Sequence, residues 1–291
     1  MSLRLAPALS LLLQLPLLAA QTITLNYGAE QLVQQGAKLN PAAAQELEAA
    51  VEKNANDLTA RAKLIGYYYY QWMQPGEAAS KAARRRHILW LIENQPEAQL
   101  TGLSEAVLDQ AGNSLSDEEG YDQARKLWLA RLDSKNITAA ALGNLARFFQ
   151  MGDKPLAEKA LLRARDMQPQ NGEWNWRLGY LYAMAILGVD GLGLNGQPTS
   201  VDPFAQESPF TAKARKALAE STSGTMLAIA ASILWRYGSL LAPSEKVKAD
   251  YVDMAIQFVQ QAKTAEPGNP SWPQFLAQLQ AYRRQVFSPA N

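Results

Sequence analysis

Two stretches of this chain repeat one spacing. Ala157, Leu161, Ala164 and Pro169 are followed a hundred residues later by Ala255, Val259, Ala262 and Pro267. Steps of four and three keep the first three residues on one face of a helix. A large apolar residue between two alanines makes that face a seam where another helix can come close. The proline then ends the helix, because it cannot donate the next backbone hydrogen bond. Weaker copies are Ala124, Trp128, Arg131 and Ala83, His87, Trp90, the latter with Pro96 displaced by one residue. A sequence built this way folds as packed helices, and no alternation of period two recurs between them to suggest a sheet.

The pattern resembles the second helix of a tetratricopeptide repeat. Leu178, Gly179 and Tyr182 match the L-G-x2-Y part of that family's first helix, with Trp176 one residue after the usual Trp position. Arg61, Leu64, Ile65 and Tyr68 occupy the equivalent stretch of an earlier hairpin, with Ile65 where a small residue is expected. The resemblance implies an all-α superhelix, or solenoid, of about five hairpins plus a C-terminal capping helix near Trp272 to Val286. It also implies a concave surface that receives other proteins.

Export is expected from the first twenty residues. Arg4 supplies a positive start, Leu9 to Leu18 a short apolar stretch, and Ala19 and Ala20 small residues before Gln21. Gln14 and Pro16 interrupt a run already shorter than the ~20 residues of a membrane span. Residues 1–20 are therefore read as a signal peptide of a periplasmic or secreted protein, the alternative being a retained anchor. No later segment reads as apolar enough to span. Residues 21–39 form a polar lead-in of uncertain structure, and residues 40–291 the repeat domain.

Composition narrows the function classes. Lys plus Arg is 28 and Asp plus Glu is 27, so the loss of Arg4 leaves a formally neutral chain. A general nucleic-acid binder needs a clear positive excess. The chain has no cysteine, which excludes disulfides, thiolate metal sites and thiol nucleophiles. A single histidine, His87, excludes any site needing two imidazoles.

Asn40 and Asp57 are expected to cap helices beginning at Pro41 and Leu58, the second running to Met73. A helix follows from Glu77 to about Glu93, and a weaker one near Leu100 to Gln110. Ser116 and Glu119 match a capping box that opens the next. Thr138 to Met151 pairs with Pro155 to Met167, and Thr225 to Leu241 with Ser244 to Ala265. Between the helix Glu173 to Leu187 and its partner lies a long loop, 188–209. Its Gly191, Gly193 and Gly196 spell the dinucleotide fingerprint without the preceding strand that fingerprint needs.

No metal-ligand spacing, phosphate loop, nucleophile elbow or buried carboxylate pair is legible, so no catalytic residue, metal or cofactor is assigned. Arg84, Arg85 and Arg86 read as a solvated face that could also grip an acidic peptide. His87, without an evident partner set, reads as a half-buried packing residue. The residues expected on the inner face of the first helices are Tyr69, Tyr70, Arg147, Phe149, Gln150, Trp176, Tyr180, Trp235 and Arg236. Aromatic and arginine side chains are those that binding hot spots favour. The function expected is a non-catalytic scaffold for a protein or peptide. A glycan-binding envelope factor using Trp174, Trp176 and Trp235, or an enzyme completed by loop 188–209, are the alternatives.

On this reading, intact-mass analysis of protein recovered outside the cytoplasm should find a chain beginning at Gln21. Protein still carrying Leu9 to Leu18 in the membrane fraction would show an anchor instead.

Overall fold

The computed structural model describes residues 28–71, 77–110, 116–188 and 207–287. Among the described residues the chain is all helical, with no strand. The helices are α1 (Gly28–Gly36), α2 (Pro41–Lys53), α3 (Leu58–Tyr70), α4 (Glu77–Asn94), α5 (Glu118–Leu132) and α6 (Ala139–Phe149). They continue as α7 (Lys154–Met167), α8 (Gly172–Ile186), α9 (Pro209–Ala219), α10 (Gly224–Leu241), α11 (Glu245–Ala265) and α12 (Ser271–Phe287). The expected signal peptide, Gly191 to Gly196 and most of the 188–209 loop lie outside the described residues.

Most helices start where a short polar side chain can accept a first-turn N–H. Asn40 Oδ1 accepts from Ala43, Asp57 Oδ1 from Ala60, Thr138 Oγ1 from Ala141 and Asp153 Oδ1 from Leu156. These groups satisfy donors that have no partner within the helix. The start of α5 differs from the expected capping box. Asp117, not Ser116, is the cap, its Oδ1 accepting from Gly120 N at 3.0 Å. The Asp117 carboxylate is also held by the Arg85 guanidinium at 2.6 and 2.8 Å, while Ser116 Oγ donates to Asp109 Oδ1. Glu119 does not reach back to the cap; it joins the same arginine at 2.5 Å.

The weaker helix expected near Leu100 to Gln110 is replaced by two 3-10 turns, Gln99–Gly102 and Ser104–Ala106. Asn144 of α6 secures the segment just before them: its Nδ2 donates to the carbonyls of Pro96 at 2.8 Å and Ala98 at 2.9 Å. A Cβ on Gly102 would lie 2.2 Å from Asn144 Oδ1, so only glycine admits this contact.

The lead-in also has structure. Helix α1 lies across α3, with Val33 fully buried. A Cβ on Gly36 would stand 2.0 Å from Lys63 O, and one on Gly66 1.9 Å from Val33 O. Gly66, one residue after the expected small position at Ile65, is therefore what lets the two backbones meet. Gly179 does the same for α8 and α10, its missing Cβ facing Met226 O at 2.4 Å.

Other contacts join chain neighbours: α2 with α3, α3 with α4, α4 with α5, α6 with α7, α7 with α8, α8 with α9, α10 with α11 and α11 with α12. The alanines of the recurring motif, Ala157, Ala164, Ala255 and Ala262, are all completely buried. Most buried apolar side chains form one continuous core from Val33 to Leu279. Helix α2 instead rests on a small separate cluster of Ala44, Val51, Ala60 and Leu64. Helix α10 is the one described helix long and apolar enough to cross a membrane by length and composition, contrary to the sequence reading; here it packs against α8 and α11.

Long polar side chains close the helix ends. Arg131 of α5 donates to Glu93 O at the end of α4, and Arg163 of α7 to Leu132 O at 2.6 Å and Ser134 O at 2.8 Å beyond α5. Gln261 of α11 reaches the carbonyls of Leu218, Ala219 and Ser221 at the end of α9. Cations also suit helix C-termini because partial negative charge collects there.

Gly66→Ala should lower the melting temperature by the equivalent of about 1–3 kcal/mol of overpacking. Gly268→Ala is the control, because a Cβ there meets nothing within 4 Å. Thermal melts followed by circular dichroism distinguish them, and equal melting points would disprove the α1–α3 seam.

Candidate functional site

Three helices bring a buried polar network together around His87. Arg61 of α3 and His87 of α4 are 4% and 1% exposed. Arg61 Nη1 lies 3.1 Å from His87 Nδ1, and Arg61 Nε donates to Ala55 O at 2.9 Å. A guanidinium can only donate, so Nδ1 is the acceptor and the imidazole proton sits on Nε2. That nitrogen lies 3.0 Å from Glu48 Oε1 of α2 and donates to it. Tyr68 donates to the same oxygen at 2.7 Å, and Arg86 to Glu48 Oε2 at 2.8 Å. The Arg61 guanidinium carbon sits 3.6 Å from the centre of the Trp90 ring, a close cation–π stack.

Burial disfavours charge on His87 and lowers its pKa, and the pull of Glu48 offsets this only in part. Burial would raise Glu48, but bonds from Tyr68 and His87 and the charges nearby outweigh it and hold the carboxyl below its ordinary value. Burial and then the Glu48 carboxylate push the Tyr68 hydroxyl well above the usual tyrosine range. His87 is thus neither half-buried nor without partners. Its partners come from α2 and α3, distant in sequence, and no spacing within α4 could announce them.

A second such cluster joins α7, α8 and α9. Glu158 is 2% exposed, accepts from the Tyr182 hydroxyl at 2.8 Å, and pairs with Lys213. Tyr68 and Tyr182 therefore do the same work, each reaching back to a glutamate on the preceding helix.

The arginine run divides: Arg84 is buried, Arg85 is partly buried and Arg86 is exposed. Arg84 donates to Glu105 O at 2.9 Å and Val107 O at 2.7 Å. Arg85 holds Asp117 and Arg86 holds Glu48, so each points to a different neighbour.

The expected inner-face residues divide. Tyr70 is 43% exposed, its ring edge-on to half-buried Tyr69 at 5.0 Å. Burial, and then the charge of Glu105, raise the Tyr70 pKa. Arg147 is partly exposed and its Nη2 donates to Ser104 Oγ at 2.7 Å. The Trp176 and Tyr180 rings stack, 5.8 Å apart and 10° from parallel. Burial raises the Tyr180 pKa, with the Arg147 charge opposing and Tyr237 adding to the rise, so these side chains are within electrostatic reach of one another. Tyr70, Glu105, Ser104, Arg147, Tyr180 and Tyr237 make up the candidate run, in which Arg147 and Ser104 are joined by that hydrogen bond.

Other residues fall outside the run. Phe149 is fully buried and edge-on to Phe148, so it is core and lines no groove. Gln150 is the C-cap of α6, its N–H bonded to Ala146 O. Trp235 leans on Phe275 and Tyr282 of α12, and exposed Arg236 lies beside it. Trp174 is 3% exposed and is removed from any sugar-stacking role. Sequence reasoning passed over Ser104, Glu105 and Tyr237. A helix was expected around the first two, and Tyr237 follows Arg236 by one residue, a signal that was available. Among the described residues no group of three or more His, Asp or Glu side chains is placed to hold a metal ion.

No family model matches the chain, and neither a curated protein nor a solved structure matches it.

The network fixes the sign of the acid response. Unfolded, His87 takes up a proton near its ordinary value of about 6.5; folded, it does so only at lower pH. The unfolded state holds more protons in that window, so stability present above it is lost as pH falls through it. Glu48 adds a loss of the same sign as pH falls below about 4.3. The melting temperature should decline from about pH 7.5 to about pH 5, and His87→Gln should flatten that decline while costing about 1–3 kcal/mol at the upper pH. Melts across that range check it; an unchanged slope in the variant would place the titrating proton elsewhere.

Proposed function

We propose that this chain is an exported, non-catalytic scaffold. Its helices stack as a TPR-like array and bind a protein or peptide along the face that carries Tyr70, Arg147, Trp176, Tyr180 and Tyr237. The observation that carries this reading is exposed aromatic surface on several helices. The side chains come from α3, α6, α8 and α10, and Tyr70 and Tyr237 are each left 43% exposed. Large aromatic rings left open beside an arginine give a partner apolar area and a charge to pair. Arg147 is the cation of this face that would meet acidic or carboxylate groups. The helical architecture and the near-neutral composition support a protein partner over a nucleic acid.

The mature chain, immobilised, should retain a partner from cell-envelope extract. Tyr70→Ala, Arg147→Ala and Trp176→Ala should each weaken that capture by at least ~2 kcal/mol, roughly thirtyfold, with melting temperatures close to the parent. A partner held equally by all three folded variants would rule out this face.

A further inference from the structure

A pocket of 620 Å³ opens beside the His87 network, between α2 and α4. Its volume lies within the roughly 300–1,000 Å³ of small-molecule sites. None of its lining residues belongs to the aromatic face described above. The buried members, Arg61 and His87, form the inner end, and exposed Glu52 and Glu93 stand at the mouth. Val51, Leu89 and Trp90 supply an apolar wall.

The charges are segregated along this pocket. His87 is neutral, because Arg61 donates to its Nδ1. Glu48 is engaged by Tyr68, His87 and Arg86, so its charge is matched within the network. Arg61 is left as the unbalanced cation at the inner end. The bonds to Ala55 O and His87 Nδ1 use two of its N–H groups, and a guanidinium carries five. Its stack on Trp90 fixes the plane of the guanidinium, so the N–H groups not used by Ala55 and His87 are held in place to meet a carboxylate. Of the exposed lining side chains, Arg86 is neutralised by its pair with Glu48, which leaves the negative charges of Glu52 and Glu93 at the mouth.

We propose that this pocket binds a small zwitterion of dipeptide size, carboxylate inward on Arg61 and ammonium outward between Glu52 and Glu93, with an apolar side chain against Trp90 and Leu89. A simple anion would meet Arg61 but face repulsion at the mouth, and a simple cation would be repelled at the inner end. Only a ligand with both charges matches both ends.

The test is calorimetric titration of the full chain with L-alanyl-L-phenylalanine, its N-acetyl derivative and its C-terminal amide. The free dipeptide should bind saturably, and each blocked form should bind at least about tenfold more weakly. A Glu52→Gln, Glu93→Gln double variant changes only exposed side chains and should keep the parent melting temperature. It should bind the free dipeptide more weakly and lose the discrimination against the N-acetyl form, while still rejecting the amide. Absence of saturable binding by the free dipeptide overturns the proposal, as does equal binding of either blocked form. Unchanged affinities in the double variant also overturn it, because the ligand would then sit elsewhere.

Discussion

The architecture depends on helices meeting backbone to backbone. At Gly66 the α3 chain lies against Val33 of α1, and at Gly179 the α8 chain lies against Met226 of α10, with no room for a single added carbon. Each contact joins helices that are not adjacent in sequence, with one other helix between them along the chain. Close approach also lets many weak dispersion contacts form at once, which is where packed helices gain most of their cohesion. Ala157, Ala164, Ala255 and Ala262 do the corresponding work on α7 and α11.

Helices that pack this tightly leave polar groups in the interior, and the chain answers them with long side chains. Arg131, Arg163 and Gln261 turn toward carbonyls at the ends of other helices. Asn144 does the same for the segment after α4, through the Pro96 and Ala98 carbonyls. Two carboxylates share one pattern: partly buried Glu48 and buried Glu158 each receive a tyrosine hydroxyl and a basic side chain. A buried charge without such partners would cost far more than the network returns. Near α2 the requirement is sharpest, since that helix rests on a small apolar cluster and relies on Glu48 for its polar tie to α4.

Placement of side chains by several helices also separates two surfaces. The aromatic run through Tyr70, Arg147, Tyr180 and Tyr237 uses α3, α6, α8 and α10. The pocket beside Arg61 and Trp90 uses α2 and α4 with one residue of α3. A macromolecular partner on one and a small ligand on the other would not compete for the same side chains.

Local sequence determined the helices and most of their starts. Asn40, Asp57, Thr138 and Asp153 cap by bonding an N–H three residues on, an interaction complete within one turn. The buried seam of the Ala157 and Ala255 motifs was legible for the same reason: helical spacing alone places those residues on one face. Tertiary structure decided whatever needed a partner from elsewhere in the chain. Asp117 displaced Ser116 as a cap because Arg85 lies 32 positions earlier in sequence and beside it in space. Phe149 became core while its neighbour Arg147 stayed at the surface, a choice made by the helices packed around α6. His87, which sequence could describe only as an isolated imidazole, acquired its tautomer from Arg61 and its acceptor from Glu48. Proton position and charge depend on what stands within about 3 Å, and at that range the neighbours are set by packing rather than by order along the chain.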